Sequence, residues 1–243
     1  MQQTPIRTRT VLGALGAALF VAAGPSTALA DLLVDGGFDD PVVTTPNLFQ
    51  SGFVIYNIGQ SFGGPSNNAW TVVTRNNAPG NVALTPTSEY TGSGTKIYFN
   101  AHSGPQHLDL TGSQDNGAPL GVAQTFATTP GATYSVSLQL ARFFNDASGS
   151  VTVAINGTDL TTFTNAANGS LPAYLDGVAG NNWQAYSVNF TATGTATTLG
   201  LYNAQTSASA AVFVDSVSVT AVPEPTLGTL AAPAALLLRR RRR

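Results

Sequence analysis

The chain has no cysteine among its 243 residues, so disulfides, thiolate metal centres and thiol nucleophiles are excluded. Charge is scarce as well. Asp, Glu, Lys and Arg make up 9% of the sequence, and five of the ten basic residues are crowded into Arg239 to Arg243. Between Asp31 and Ala221 only Arg75, Lys96 and Arg142 are basic, against eleven acidic residues, a net charge of −8 for that stretch. A surface of that sign repels phosphate backbones, which excludes nucleic acid as a partner and leaves neutral partners and divalent cations. The same stretch shows no amphipathic helical period and no internal repeat.

Histidine and glutamate are also rare, and this restricts catalysis. His102 and His107 are the only histidines, and Glu89 is the only glutamate between Asp31 and Ala221. On a strand, His107 and Asp109 share one face while His102 points away or lies in the preceding loop, a poor geometry for a two-histidine metal site. The plain reading of His107 is a surface strand residue. A glycosidase needs two carboxyl groups at a set separation, and nothing selects Asp109 or Asp115 as the mate of Glu89. Gly92-Ser93-Gly94 has no helix after it, so a strand-turn-helix nucleophile elbow is missing. The chain reads as a non-enzyme, with a secreted hydrolase as an alternative because serines are abundant.

Both ends carry signals. Arg7 and Arg9 precede an uncharged apolar run from Val11 to Ala23, and Ala28-Leu29-Ala30 has the small-x-small form read by signal peptidase. Residues 1–30 are therefore expected to be a signal peptide, with the mature chain starting at Asp31. At the other end, Pro223-Glu224-Pro225 is followed by the uncharged segment Thr226 to Leu238 and then by the arginine run that includes Arg239 and Arg240. An apolar segment enters a bilayer, and arginines hold its end at the cytoplasmic face. As a helix those 13 residues reach about 20 Å, short of the roughly 30 Å hydrocarbon core, so the span requires snorkelling arginines or a thinned bilayer. This tail, residues 222–243, resembles the PEP-CTERM sorting signal. The resemblance implies a transient inner-membrane anchor, recognition by an exosortase, cleavage near the triplet, and delivery to the cell surface or an exopolysaccharide matrix. The plainer alternative is an ordinary tail anchor.

The remaining stretch, residues 31–221, is rich in Thr, Ser, Gly, Asn, Val and Ala, residues of strands and turns. Period-two alternation places Tyr134, Val136, Leu138 and Leu140 on one face, and likewise Val151, Val153 and Ile155; Tyr186, Val188 and Phe190; and Leu199 and Leu201. In the last strand Phe213, Asp215, Val217 and Val219 read as one inward face. Asn156-Gly157 marks a hairpin, and Pro130-Gly131 a turn. The pattern predicts about ten strands, with one or two short ones near Phe53 to Ile58. Antiparallel sheets with one buried face must stack, so the expected fold is an all-β sandwich.

The stretch opens Leu32-Leu33-Val34-Asp35-Gly36-Gly37-Phe38-Asp39-Asp40, has Trp70 some thirty residues later, and closes Val212-Phe213-Val214-Asp215-Ser216-Val217-Ser218-Val219. It resembles the galactose-binding-domain-like jelly roll that includes many carbohydrate-binding modules. Gly104-Pro105-Gln106-His107-Leu108-Asp109-Leu110, Gln124-Thr125-Phe126 and Pro130-Gly131-Ala132-Thr133-Tyr134 resemble a domain-of-unknown-function family of plant cell-wall and bacterial surface proteins. The first resemblance implies a structural Ca²⁺ where the first and last strands meet, held by Asp39 and Asp215. The competing reading has Asp215 accepting backbone hydrogen bonds. It also implies a polysaccharide ligand, such as an exopolysaccharide or a cell-wall glycan. Aromatic faces stack on sugar C–H faces, so Tyr174, Trp70 and Trp183 are the ligand-binding candidates, with Tyr90, Tyr98 and Tyr202 also considered. Trp70 and Trp183, each at the start or end of an alternating strand, read first as core residues, which leaves Tyr174 as the best exposed candidate. The expectation is a surface or matrix protein that binds carbohydrate. The alternative is a coat or spacer without a ligand.

Overall fold

The computed structural model describes residues 29–44, 53–77, 79–92, 95–112, 119–143, 148–166, 183–205 and 211–224, with backbone alone for 88–92, 95–98 and 143. The described residues contain no helix and fourteen strands, in two six-stranded antiparallel sheets and one hairpin. Sheet A runs β1 (Val54–Asn57), β4 (Asn81–Pro86), β7 (Gln106–Asp109), β14 (Ala211–Ala221), β9 (Thr133–Phe143), β12 (Gln184–Thr191). Sheet B runs β11 (Thr158–Asn165), β10 (Gly149–Ile155), β13 (Ala196–Asn203), β8 (Leu120–Ala127), β3 (Trp70–Thr74), β2 (Ser61–Phe62). The hairpin pairs β5 (Ser88–Gly92) with β6 (Thr95–Phe99). From β7 onward the chain passes repeatedly between the sheets, with β10 and β11 the one consecutive pair kept in the same sheet. This is the all-β sandwich expected from the alternation. The four strands beyond the expected ten include short ones that periodicity does not mark.

The alternating residues behave as their spacing predicts. Tyr134, Val136, Leu138 and Leu140 of β9 and Val151 and Val153 of β10 lie in the shared core with Leu199, Leu201 and Trp70. Asn156 and Gly157 sit at φ 51° and 81° between β10 and β11, a turn that suits the twist of a two-residue hairpin. β14 departs from the expectation. Val212 and Val214 face the core, and so do Val217 and Val219, whereas Phe213 and Asp215 point away from it. The register of β14 on β9 shifts between Asp215 and Ser218, and Ser216 takes φ 49°. The extra residue reverses the in–out parity midway, so the expected inward row of Phe213, Asp215, Val217 and Val219 is two rows on opposite faces.

Residues 29–44 make no strand of their own but are stitched onto the sandwich. Asp31 Oδ1 accepts the N–H groups of Leu33 and Val219. Gln124 of β8 accepts the Val34 N–H at 2.7 Å and donates to the Val34 carbonyl at 2.9 Å. Gln106 of β7 accepts the Val43 N–H at 2.7 Å and donates to the carbonyls of Phe38 and Pro41. Phe38 is thereby driven into the core, its ring 5.2 Å from Trp70 and 6.4 Å from Phe62. Trp70 Nε1 donates to the Asp35 carbonyl at 2.9 Å, tying β3 to the same loop.

Gln106 is fully buried, so Gln106→Leu leaves three main-chain groups without partners and should cost at least about 2 kcal/mol. Gln124→Leu should cost less, because Val34 is 49% exposed and water can replace the lost partners. Urea unfolding of the two variants checks both the size and the order of the losses.

Candidate functional site

The residues singled out in the sequence are distributed over the whole sandwich. Trp70 has no exposed surface and packs against Phe38, so no ring face is open for a ligand to stack on; it is a core residue. Tyr174 lies outside the described residues, as do Pro225, Arg239 and Arg240. Pro223 and Glu224 are exposed and belong to no strand. The side chains of Tyr90 and Tyr98 are likewise outside what is described.

Asp39 and Asp215 have different surroundings. Asp215 Oδ2 accepts the N–H groups of His102 and Ser103 at 2.8 and 3.0 Å, and Oδ1 accepts that of Ser216 at 2.5 Å. Burial still pushes its carboxyl up to about 6, since those donors offset only part of the desolvation. Three N–H donors on the Asp215 carboxylate match the competing reading of that residue and leave it at most one lone pair for a cation. Asp39 has a buried Oδ1 without a partner, a better match for a cation, and Asp35 beside it has an equally unpartnered Oδ2. The Asp39 N–H donates to Asp35 Oδ1 at 2.7 Å, and burial pushes the Asp35 carboxyl to about 6. Among the described residues no three His, Cys, Asp or Glu side chains form a metal-holding group.

On the face of sheet A turned from the core, His107 is fully buried, in contrast to the surface position its sequence suggests. Its ring meets Phe213 and Trp183 edge-on, at centroid distances of 4.7 and 5.6 Å. Neither ring nitrogen has a hydrogen-bond partner, and the hydroxyl of Thr85, its cross-strand neighbour, has none either. Asp109 does not serve His107; its Oδ1 accepts N–H bonds from Thr111 and Gly112. Burial pushes the imidazole down to about 3. Trp183 is half-buried at the margin of this cluster, with Nε1 donating to the Asn100 carbonyl at 3.0 Å and the exposed His102 ring 6.0 Å away.

The opposite outer face, that of sheet B, carries a second constellation. Tyr202 of β13 lays its ring across Gly200, where a Cβ would stand 2.6 Å from the ring. The Arg75 guanidinium stacks over that ring with Cζ 3.9 Å from its centroid, and it forms an ion pair with Asp159. The pair holds both charges together: the Asp159 carboxyl lies below its usual range, chiefly through the hydrogen bond from Arg75. Arg75 follows β3, whereas Asp159 belongs to β11, four strands away in the sheet. Four strand spacings amount to roughly 19 Å, and the two side chains together reach only about 10 Å. The two side chains can meet only if the sheet twists and bends toward this face between β3 and β11, which makes the face concave along that line. Around it run cross-strand hydroxyl pairs, Thr125–Thr198, Thr152–Thr162 and Ser150–Thr164, each at 2.8–2.9 Å.

Chemically, the concave face offers a donor fork and an acceptor fork side by side, with no net charge and a flat backing. A guanidinium and a carboxylate each bind planar, bidentate partners. Two adjacent hydroxyl groups, which both donate and accept, match such a pair better than an ion does. Sequence reasoning had Tyr202 among its aromatics but passed over Arg75 and Asp159, because nothing local links residues so distant in the chain. The scarcity of basic residues was the available signal: a basic side chain kept in so acidic a stretch invites a search for its partner.

Fold and faces together define an all-β sandwich with one concave, hydroxyl-rich surface. Residues 60–220, more than half of the chain, match the family described as "Protein of unknown function (DUF642)", and the chain belongs to that family. No curated protein matches it. Among solved structures it is similar to the CBM22-1 xylan-binding domain from Paenibacillus barcinonensis, with 15% identity over 71% of this chain and 95% of that one and a TM-score of 0.39. It is also similar to a CBM36-1 domain of a multidomain xylanase from a Trinervitermes trinervoides hindgut metagenome (17%, 64% and 99%, 0.36). A third is TmCBM61, solved with β-1,4-galactotriose (12%, 79% and 99%, 0.39). Overlaps of this size carry no argument about ligands.

His107 makes stability pH-dependent in a defined direction. Its pKa falls from 6.5 in the unfolded chain to about 3 in the fold, so the unfolded state binds the proton first and stability drops as pH falls below 6.5. Asp35 and Asp215, raised to about 6, act oppositely, adding stability as pH falls from about 6 towards 3.8. Between pH 7 and 5, wild type should therefore lose about 2 kcal/mol relative to His107→Leu, measured by urea denaturation of both proteins at the two pH values.

Proposed function

We propose that this protein is a non-enzymatic, exported binder of neutral polysaccharide, with the concave face of sheet B as its site. The observation that carries the reading is the Arg75–Asp159 pair stacked on Tyr202. Arg75 donates to sugar oxygens, Asp159 accepts from sugar hydroxyls, and Tyr202 holds the guanidinium flat. The Asp159 side chain is 57% exposed and that of Arg75 28%, so both are within reach of a ligand. The low charge elsewhere supports a neutral ligand, and the Ser and Thr rows supply further hydroxyl partners. A spacer without any ligand is the competing reading.

Affinity electrophoresis in gels containing xylan, galactan or bacterial exopolysaccharide tests it. Wild type should be retarded by at least one of these, and Arg75→Ala and Tyr202→Ala should each weaken retention at least tenfold. Trp183→Ala discriminates between the two outer faces: it should leave retention unchanged if sheet B carries the site. A wild type that runs freely in every gel overturns the proposal and favours the spacer.

The terminal signals extend the proposal to export by signal peptidase cleavage, passage through the inner membrane, and exosortase sorting to the surface or matrix. Support comes from the Ala28-Leu29-Ala30 and Pro223-Glu224-Pro225 motifs and the arginine run. Mass spectrometry of protein shed from cells should find an N-terminus at Asp31 and no peptide beyond the triplet. Intact chains with both ends attached, recovered from cytosol, would contradict export.

A further inference from the structure

The loops at one end of the sandwich and the edges of β11 and β12 frame an open groove of about 520 Å³. Toward the other end these edges close: Phe163 stacks on Tyr186 at 4.9 Å, and the Tyr186 hydroxyl donates to the Thr164 carbonyl. Where they part, Ile155, Leu160 and Phe190 provide an apolar lining. Phe190 is fixed by stacking on Tyr134 at 5.5 Å, and Tyr134 is fixed in turn by the Thr129 N–H donating to its hydroxyl. The rim is polar and uncharged apart from Asp159: Asn156 and Thr158 on one side, Asn189, Thr191 and Thr193 on the other.

Leu160 owes its place to a register shift. β10 pairs Val153 with Thr161 but Ala154 with Asp159, so Leu160 is the extra residue of a bulge. Bulges at sheet edges re-aim side chains, and this one leaves a leucine 37% exposed in a strand otherwise made mostly of threonines. Asn156 is similarly preset. Its Oδ1 accepts the Thr198 N–H at 2.8 Å, which fixes the side-chain amide in the rim. Asp159 belongs both to this groove and, through Arg75, to the concave face, so the two surfaces adjoin.

We propose that the groove is a second binding site, for a single neutral sugar ring such as a branch or chain end of the glycan held on the concave face. The inference rests on the polysaccharide reading above and deepens it. A hydrophobic patch that takes the C–H face of a ring, surrounded by amides and hydroxyls that take its hydroxyl groups, is a preformed site for this ligand class. The volume lies within the range of small-ligand sites and accommodates one or two rings. The one carboxylate on the rim is already neutralised by Arg75, so neither an anion nor a cation is favoured.

The test is a titration of ¹⁵N-labelled full-length protein in mild detergent with cellobiose, β-1,4-galactobiose and maltose, followed by amide chemical shifts. Shifts at Gly157, Leu160 and Thr191 that saturate with at least one sugar are expected, and Leu160→Arg should raise that Kd at least tenfold while leaving shifts near Gly200 and Tyr202 in place. Unchanged amide dispersion in the variant shows that it folds. Shifts confined to the neighbourhood of Tyr202 overturn the groove and leave the concave face standing. Shifts confined to the groove overturn the concave face instead. No shifts with any of the sugars, or equal groove affinity in Leu160→Arg, overturn the groove proposal.

Discussion

Two buried glutamine amides hold the structure's entry segment in place. An amide can accept and donate at once, so each side chain completes backbone groups left open by the two bonds to β14, Leu32 N–H to the Val219 carbonyl and Val217 N–H to the Gly36 carbonyl. Gln124 closes both groups of Val34, and Gln106 closes three groups between Phe38 and Val43. With that segment anchored, Phe38 enters the core, Trp70 finds the Asp35 carbonyl, and β3 takes its position beside β8. A polar interior of this kind is tolerated because each of these main-chain groups is satisfied at hydrogen-bond distance.

The two outer faces of the sandwich show opposite uses of the same residue economy. On sheet A His107 is buried against Phe213 under the margin formed by Trp183, and its surroundings keep it uncharged. On sheet B glycine and small residues make a floor across which Tyr202 lies, and one of the scarce arginines is spent there. An acidic protein that keeps a guanidinium on a concave, hydroxyl-lined face, already paired with a carboxylate, is suited to neutral ligands rich in hydroxyl groups.

Much of this was legible in the sequence wherever a local rule applied. Alternation placed Tyr134 to Leu140 and Val151 to Ile155 inward, and Asn156-Gly157 gave a hairpin, because side-chain period and turn geometry are local properties. Alternation failed at β14, where Ser216 adopts a left-handed conformation that serine does not announce. No local rule marks Leu160, whose exposure follows from the bulge in its pairing with β10 and not from its neighbours. His107 was misjudged as a surface residue because the ring that covers it, Trp183, arrives from a distant strand margin. Arg75 and Asp159 meet only through curvature, which no window of sequence encodes. Gln106 and Gln124 were noticed as motif residues, but their task required seeing the backbone they close.

The Arg75–Asp159 bridge also has a mechanical meaning. It spans the bow of sheet B as a string spans a bow, fastened near β3 at one end and to the edge strand β11 at the other. A molecule that takes over both forks must exchange the bridge for its own hydrogen bonds, while the backbone ladder between β10 and β11 stays intact. Because Asp159 also borders the neighbouring groove, a ligand that draws its carboxylate from Arg75 on one surface changes the acceptor offered on the other, and thermodynamic reciprocity makes any such influence equal in both directions.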